Sequence, residues 1–396
     1  MEFLAHSYFY YIIGGLSSET TRYVNITYMK KVISIFGTRP EAIKMAPVVK
    51  ELESRKEIKS VVCVTAQHRD MLDQVLKVFN IKPDYDLDIM KPGQTLSYIT
   101  AEVIKGIEGI IIKEKPDIIL VHGDTTTAMA ASLAGFYQQV KVGHVEAGLR
   151  TYDKNSPFPE EINRQIIDRI ADYLFAPTKT SEENIGNKIN KGQQIFVTGN
   201  TAIDALKTTV SKDYHNADLD WIGDKNKLIL VTAHRRENLG QPMRRIFTAI
   251  KQITNEFPDV RVIYPVHLNP KVREVANEIL GDNNQIKLIE PLDVLDFHNF
   301  MKRAYFIMSD SGGVQEEAPA LGKPVLVLRD TTERPEGIKA GTLKLVGTKT
   351  EDIHNAAKEL LTNKDLYTAM SQAKNPYGDG FASKYIVDAI LEEKNS

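Results

Sequence analysis

From residue 31 onward, short apolar runs alternate with longer segments of helical periodicity, and this alternation constrains the fold more than any other feature of the sequence. In the first series the apolar runs are 32–36, 60–65, 118–122, 140–145 and 173–176, and the helical segments are 42–54, 69–79, 96–115, 125–138 and 160–171. Strands that alternate with helices form βαβ units, which build a parallel sheet covered by helices on both faces. The series predicts one doubly wound half.

A second series follows the polar stretch 211–227, with apolar runs at 228–233, 260–265, 286–289, 305–309 and 324–328. The chain of 396 residues also exceeds the size at which one hydrophobic core stops growing. We therefore predict an α/β protein of two doubly wound, Rossmann-like domains that face each other across a cleft. The predicted first domain is 29–199 plus 376–396, and the second is 200–375. Ligands of such sheets bind beyond the carboxyl ends of the strands, so functional motifs are expected at strand ends.

The segment 1–28 does not fit this pattern. Its apolar stretch 3–16 is shorter than the roughly 20 residues of a membrane span, and Glu2 replaces the basic start of a signal peptide. We interpret 1–28 as a disordered extension or a misassigned start. The single cysteine, Cys63, lies in an apolar run and is expected to be structural, which agrees with a cytoplasmic location.

Charge and motif content exclude several classes of partner. The net charge is −2, and no block of basic residues forms the patch that nucleic acids or membranes require. The nine histidines show no metal-ligand spacing, and neither GxGxxG nor GxxxxGK[ST] occurs in the chain. We expect no metal, no nicotinamide or other cofactor, no nucleic acid and no membrane partner.

Two segments at predicted strand ends have the features of anion sites. GTRPEAIK, residues 37–44, follows the first strand and enters a helix, where backbone N–H groups favour an anion and Arg39 and Lys44 add positive charge. DSGG, residues 310–313, repeats this arrangement in the second half, where Ser311 can cap the helix and the glycines allow a ligand to approach.

Carboxylates lie near both sets of strand ends. One turn beyond DSGG, Glu316 and Glu317 are placed to accept hydrogen bonds from ribose hydroxyls. In the first half Asp124, Glu146 and Glu160 belong to segments that end strands, so they should point into the crevice and shift one another's pKa values, as acid-base pairs require. Asp124 has an alternative interpretation as the N-cap of the helix that begins at Thr125.

Cationic groups follow strands of the second half. His234 lies after its first strand beside two arginines, a setting in which an imidazole poised near neutral pH can act on a phosphate-bearing substrate. The segment 329–336 also ends a strand and offers Arg334 to a phosphate or a sugar.

Taken together, these segments resemble the non-hydrolysing UDP-N-acetylglucosamine 2-epimerases from residue 29 to the C-terminus. The matching segments are GTRPEAIKMAP (37–47), TAQHRDML (65–72), VHGDTTT (121–127), GHVEAGLRT (143–151), FPEEINR (158–164), TGNTAIDAL (198–206), AHRREN (233–238), PVHLNP (265–270), SDSGGVQEEAP (309–319) and RDTTERPE (329–336).

The resemblance implies a GT-B-like fold, a C-terminal helix that returns to the first domain, a homodimer, and a product used in cell-surface polysaccharide biosynthesis. It places sugar and catalytic contacts at Arg39, Lys44, Asp124, Glu146, Glu160 and His234, and UDP contacts at Leu292, Phe297, Ser311, Gly312, Gly313, Glu317 and Arg334. The segment 67–69 is similar to part of a region where some members bind their own substrate as an activator.

The implied reaction interconverts UDP-N-acetylglucosamine and UDP-N-acetylmannosamine. Inversion at C2 breaks a C–H bond that no neighbouring carbonyl acidifies, which leaves transient oxidation by a nicotinamide or elimination of UDP to 2-acetamidoglucal. Elimination needs a base near C2, positive charge on the departing diphosphate and an acid on the opposite face. The alternatives are a hydrolysing epimerase, a GT-B glycosyltransferase and a non-catalytic UDP-sugar sensor.

Overall fold

A computed structural model describes residues 29–66, 69–186, 190–332 and 334–392, with the side chains of residues 70 and 71 excepted. The proposed extension 1–28 and two of the three residues of the 67–69 segment lie outside these ranges. Within them, no helix is both long enough and apolar enough to cross a membrane.

The first half is a seven-stranded parallel sheet flanked by helices. Its strands, in the spatial order β3-β2-β1-β4-β5-β6-β7, are β1 (Lys30–Phe36), β2 (Ile58–Val64), β3 (Tyr85–Asp86), β4 (Ile118–His122), β5 (Lys141–Val145), β6 (Tyr173–Ala176) and β7 (Gln194–Val197). Its helices are α1 (Arg39–Ser54), α2 (Arg69–Val78), α3 (Leu96–Glu114), α4 (Thr126–Tyr137), α5 (Glu160–Ile170) and α6 (Lys179–Ile185).

The second half is a six-stranded parallel sheet. Its strands, in the order β10-β9-β8-β11-β12-β13, are β8 (Lys227–Thr232), β9 (Val260–Pro265), β10 (Ile286–Ile289), β11 (Phe306–Ser309), β12 (Val325–Val327) and β13 (Leu343–Leu345). The remaining helices are α7 (Thr201–Thr209), α8 (Ala217–Asp220), α9 (Gln241–Glu256), α10 (Pro270–Leu280), α11 (Val294–Arg303), α12 (Gly312–Ala320), α13 (Pro335–Ala340), α14 (Thr350–Thr362), α15 (Lys364–Gln372) and α16 (Ala382–Leu391), with a 3-10 turn at Arg236–Asn238.

The predicted fold class, two doubly wound Rossmann-like halves, is confirmed. Central strands are predominantly apolar because helices cover both faces of each sheet, and four apolar side chains of β1 are fully buried: Val32, Ile33, Ile35 and Phe36. Cys63 is also fully buried, and burial raises the pKa of its thiol to about 12. The sequence did not predict the edge strands β3, β7 and β13, because they are short and only partly buried.

The two segments that connect the halves, between β7 and β8 and between α15 and α16, touch each other. Asn200 N–H donates to the Tyr377 carbonyl at 2.7 Å, and a Cβ on either Gly199 or Gly378 would lie 3.2 Å from the Cα of the other glycine. Both glycines have positive φ, +90° and +131°, which a residue with a side chain adopts only at a cost. After this second crossing, α16 packs its buried side chains into the core of the first half. The domain limits given above stay predictions.

Candidate active site

The predicted motifs lie at the strand ends where each sheet reverses its strand order. In the first half β1, β4 and β5 are neighbours, and they lead into α1, Asp124 and Glu146. In the second half the neighbours β8 and β11 lead into His234 and the DSGG turn. This reversal point opens a crevice at the carboxyl end of a parallel sheet, so the topology gathers chemistry-bearing residues from distant parts of the sequence.

The start of α1 corrects one prediction. The buried Glu41 carboxylate accepts hydrogen bonds from the backbone N–H groups of Gly37 (3.1 Å) and Thr38 (2.8 Å), and from the Thr125 hydroxyl (2.7 Å). These backbone donors, which were expected to hold a ligand anion, are already satisfied by the protein's own carboxylate. Arg39 makes no hydrogen bond or ion pair with any described residue, so positive charge remains available at this turn.

Lys44 and Glu146 form a buried ion pair. Lys44 Nζ donates to Glu146 Oε2, and the two side chains are 15% and 11% exposed. Burial is the largest influence on Glu146 and would raise its pKa, but the charge and hydrogen bond of Lys44, together with further positive charge that includes Arg334, outweigh burial and hold that pKa below its ordinary value. Burial would likewise lower the pKa of Lys44, but Glu146 and Glu316 together raise it. Both groups are therefore charged at neutral pH.

His122 adds a neutral imidazole to this pair. Its Nε2 lies 3.8 Å from Glu146 Oε2 and has no hydrogen-bond partner in the described part of the chain. Burial lowers the pKa of His122 to about 3, so the ring is uncharged at neutral pH. The sequence placed His122 in the VHGD segment without assigning it a role.

Residues outside the first-half sheet extend the Lys44–Glu146 ion pair into a larger polar cluster. Asn200 Nδ2 donates to Glu146 Oε2 at 3.2 Å and to Glu316 Oε2 at 2.8 Å, while Lys44 Nζ lies 3.9 Å from Glu316 Oε2. Arg334 holds the other oxygen of Glu316 through Nε and a terminal nitrogen, each at 2.8 Å. Burial raises the pKa of Glu316, and Arg334 and Lys44 oppose that shift. Arg334, predicted to bind phosphate or sugar, is thus engaged by a carboxylate of its own half.

Asp124 lies against Arg164 of α5, with Oδ2 2.7 Å from a guanidinium nitrogen. Burial raises the pKa of Asp124; Arg164 opposes this shift, while the negative charges of Glu146 and Glu160 reinforce it. The three predicted acids are therefore close enough to interact. The alternative interpretation as an N-cap is wrong, because α4 begins one residue later and is capped by the Thr125 side chain, which accepts from Ala128 N–H.

Glu160 and Glu161 begin α5, but their environments differ. The Glu161 carboxylate accepts hydrogen bonds from the Thr151 and Tyr152 backbone and from Gln165, so it holds the loop before α5. Glu160 Oε2 is buried and has no partner among the described residues. An unsatisfied buried carboxylate oxygen is costly to leave alone, which fits a group whose partner arrives with a ligand.

His234 lies on the second-half wall with its ring stacked on His267, at 5.1 Å between centroids and 10° between planes. Burial lowers the pKa of His234, an effect that the nearby Asp310 opposes. Its backbone N–H donates to Asp310 Oδ2 at 2.9 Å. The loop that carries the histidine is thus fixed to the residue that precedes the glycine turn.

The glycine turn starts α12 without the predicted cap. Ser311 occupies the N-cap position, but its side chain makes no capping hydrogen bond, so that prediction is wrong. A Cβ on Gly313 would lie 3.8 Å from Glu317 Oε1, which places the Glu317 carboxylate beside the turn. Glu317 Oε2 also lies 3.5 Å from Nε2 of the buried His298. Leu292 and Phe297 are partly buried against the second-half core at the start of α11.

The structure brings together Lys44, Asp124, Glu146 and Glu160 from the first half and connects them through Glu316 to Arg334. Within the described ranges, no hydrogen bond or ion pair joins the side chain of His234 or Glu317 to this cluster.

The sequence assigned no role to Glu41 or Asn200. It also did not predict that Glu316 lies between Lys44 and Arg334, or that Asp310 holds the loop of His234. The spacing of Thr38 and Glu41 is that of a capping box and would have indicated the role of Glu41. The described residues contain no cluster of ligands for a metal ion.

Over most of its length the chain is similar to proteins of one known family. The family model described as UDP-N-acetylglucosamine 2-epimerase matches residues 50–391. A UDP-N-acetylglucosamine 2-epimerase of Bacillus subtilis is 62% identical over 361 residues, covering 91% of this chain and 95% of the relative. The Escherichia coli K12 enzyme of the same name is 51% identical, covering 92% and 100%. The crystal structure of the Neisseria meningitidis UDP-GlcNAc 2-epimerase bound to UDP-GlcNAc has a TM-score of 0.82 and 49% identity, covering 92% and 100%.

Proposed function

The chain belongs to the UDP-N-acetylglucosamine 2-epimerase family, and from this premise we propose that it interconverts UDP-N-acetylglucosamine and UDP-N-acetylmannosamine without net hydrolysis. The route we propose is elimination of UDP followed by its re-addition. A relative of known structure binds UDP-GlcNAc, and the substrate assignment for this chain is transferred from it.

One observation supports the elimination route above the others: neighbouring carboxyl groups have pKa values shifted in opposite directions. Burial raises the pKa of Asp124, whereas at Glu146 the effect of burial is outweighed by the nearby positive charges together, Lys44 first among them, which lower the pKa. Two carboxyl groups whose environments separate their pKa values can serve as acid and base at one pH. A sensor that only binds UDP-sugar has no need for such a pair.

In the proposed reaction a carboxylate removes the C2 proton while the bond between C1 and the UDP oxygen breaks. The C–H electron pair forms the C1=C2 double bond of 2-acetamidoglucal, and the bond electrons at C1 leave with UDP. The return step delivers a proton to the opposite face of C2 as the UDP oxygen attacks C1. Asp124, Glu146 and Glu160 share these proton transfers, and the assignment of base and acid among them stays open.

The leaving group requires positive charge, since two phosphates depart together. In our proposal Arg39 and Arg334 supply it, His234 also holds the leaving group, and the N-terminus of α12 at residues 311–313 adds backbone N–H groups. Arg334 is engaged by Glu316 in the ligand-free chain, so the diphosphate has to compete with that carboxylate. Because the acids lie on the first half, while His234, Arg334 and the N-terminus of α12 lie on the second, we expect closure of the halves to complete the site.

Incubation with UDP-N-acetylglucosamine in deuterated water, followed by NMR, tests the reaction. We expect deuterium at C2 and formation of UDP-N-acetylmannosamine. Free N-acetylmannosamine with UDP would indicate a hydrolysing enzyme, and unlabelled substrate would indicate a transferase or a sensor.

Asp124→Asn tests the proposed acid-base group in the same assay. The exchange rate should fall by about 100-fold or more, the range lost with a general acid or base. The matched control is Asp224→Asn, the same change at an exposed position before β8, which should leave exchange intact. Near-normal exchange by Asp124→Asn would exclude Asp124 as an essential base.

A homodimer is also proposed. Phe136 and Tyr137, at the end of α4, are 59% and 61% exposed, and Ile112 on the adjacent α3 is 59% exposed. Exposed apolar groups on neighbouring helices fit a subunit interface. Light scattering should give twice the monomer mass for the native chain and the monomer mass for Phe136→Ser/Tyr137→Ser. The cytoplasmic location and the polysaccharide pathway stay predictions from the sequence.

A further inference from the structure

Asp310 is fully buried in front of the glycine turn, and its two carboxylate oxygens have different surroundings. Oδ2 accepts three hydrogen bonds, from the backbone N–H groups of His234 (2.9 Å) and Arg235 (2.8 Å) and from Asn238 Nδ2 (3.0 Å). Oδ1 has no hydrogen-bond partner in the described part of the chain and lies 3.9 Å from His234 Nδ1. The carboxylate therefore holds the histidine loop with one oxygen and faces the imidazole with the other.

The remaining freedom of His234 is small. Its backbone is held by Asp310 Oδ2, and one face of its ring is covered by His267. A modest ring movement, about 1 Å, brings Nδ1 to hydrogen-bond distance from Oδ1. An unpaired buried carboxylate oxygen favours that movement, because a donor relieves its desolvation.

We propose that Asp310 is a positioning residue that orients the His234 imidazole by accepting a hydrogen bond from Nδ1–H in the ligand-bound enzyme. Nε2 is then the ring atom that faces the diphosphate. When His234 is protonated, Nε2–H donates to a phosphate oxygen while Asp310 stabilises the imidazolium. Because Asp310 also precedes Ser311, one side chain joins the histidine loop to the turn that receives the diphosphate. The identity of the ligand in this inference rests on the proposed function.

Asp310→Asn separates this positioning role from a purely structural one. Three N–H groups converge on Oδ2, so the asparagine oxygen has to occupy that place, and its NH2 group then faces His234 Nδ1. An NH2 group donates only, so Nδ1 becomes an acceptor and the ring proton moves to Nε2. The substitution preserves the loop contacts and reverses the tautomer.

The experiment is NMR of the full-length chain with 15N-labelled histidine and saturating UDP, with the His234 signals assigned from their loss in His234→Gln. We expect a protonated Nδ1 in the wild type and a protonated Nε2 with unprotonated Nδ1 in Asp310→Asn. A neutral wild-type ring protonated at Nε2 would overturn the inference, and this readout does not depend on the folding of Asp310→Asn.

Activity provides the second readout. For Asp310→Asn we expect kcat to fall by about 100-fold or more, the range of a lost acid-base group, with a smaller change in KM. Tyr264→Phe is the matched control, because the Tyr264 hydroxyl bonds the Ala233 carbonyl next to His234 and does not touch Asp310 Oδ1. It should keep the Nδ1–H tautomer. Unchanged kcat and tautomer in a folded Asp310→Asn would contradict the inference. A wild type that shows the Nδ1–H bond but no epimerisation would refute the proposed function alone.

Discussion

Replacement of Lys44 by Met should destabilise the chain in a strongly pH-dependent manner. The substitution keeps most of the side-chain volume but leaves Glu146 without its cation, while Glu316 retains Arg334 and Asn200. Removal of one partner of a buried ion pair typically costs about 3–5 kcal/mol, because a buried charge is left uncompensated. We expect a loss of this size in the free energy of unfolding at pH 7.

The pH dependence follows from the direction of the pKa shift. In the wild type the pKa of Glu146 is lowered on folding, so its contribution to stability is present above its ordinary value of 4.5 and is lost as the pH falls. In Lys44→Met, burial without the cation raises the pKa of Glu146, so the ionised form destabilises the fold and protonation relieves it. The stability difference between the two proteins should therefore be largest at neutral pH and narrow towards about pH 5.

Urea titrations followed by circular dichroism at these two pH values measure the difference. Lys50→Met is the matched control, because Lys50 lies on the same helix and makes an exposed pair with Glu53 that is worth about 1 kcal/mol or less. Addition of Glu146→Gln to Lys44→Met should recover most of the loss at neutral pH. The reasoning is refuted if Lys44→Met and Lys50→Met unfold with equal free energies at both pH values.

Two further predictions concern the crossing between the halves and the acid cluster. Gly378→Ala should lower the free energy of unfolding by about 1–3 kcal/mol, because φ is +131° and the new Cβ would meet Gly199 at 3.2 Å. Gly109→Ala, inside α3 with nothing near its Cβ, should instead stabilise by about 0.5–1 kcal/mol. Equal shifts in Tm for the two variants would contradict the predicted strain at Gly378. Burial raises the pKa of Asp124 and the charge of Arg164 lowers it, so Arg164→Met should raise this pKa further. In a profile of turnover rate against pH, the limb that reflects ionisation of Asp124 should therefore move to higher pH. An unchanged dependence of the rate on pH would show that ionisation of Asp124 does not limit turnover.

The sequence alone determined the two doubly wound halves. Apolar runs and helical periodicity are local patterns, and they indicate buried strands and amphipathic helices respectively. The same locality explains the misses in the fold, since β3 has two residues and leaves no periodic signal. The motif segments also determined the family, which the comparisons confirmed.

The placement of Asp124 and Glu146 was predictable from their position after parallel strands, because such strands end at one edge of the sheet. The ionisation states of the two carboxyl groups were not predictable from the sequence. Burial raises the pKa of Asp124 against the effect of Arg164, whereas Lys44, 102 residues earlier in the sequence and on α1, is the strongest influence that lowers the pKa of Glu146. The sequence showed where the carboxyl groups lie, but only the packing of the helices determined which cations, Arg164 and Lys44, lie beside them.

Only the tertiary structure distinguished neighbouring residues of one type. Glu316 and Glu317 are adjacent on α12, yet Glu316 meets Lys44 and Arg334 while Glu317 stands beside the glycine turn. The reason is geometric: successive helical residues point about 100° apart, so the two carboxylates face different surroundings. Which surroundings those are depends on how the second half packs against the first, and contacts between residues far apart in the chain leave no trace in local sequence patterns.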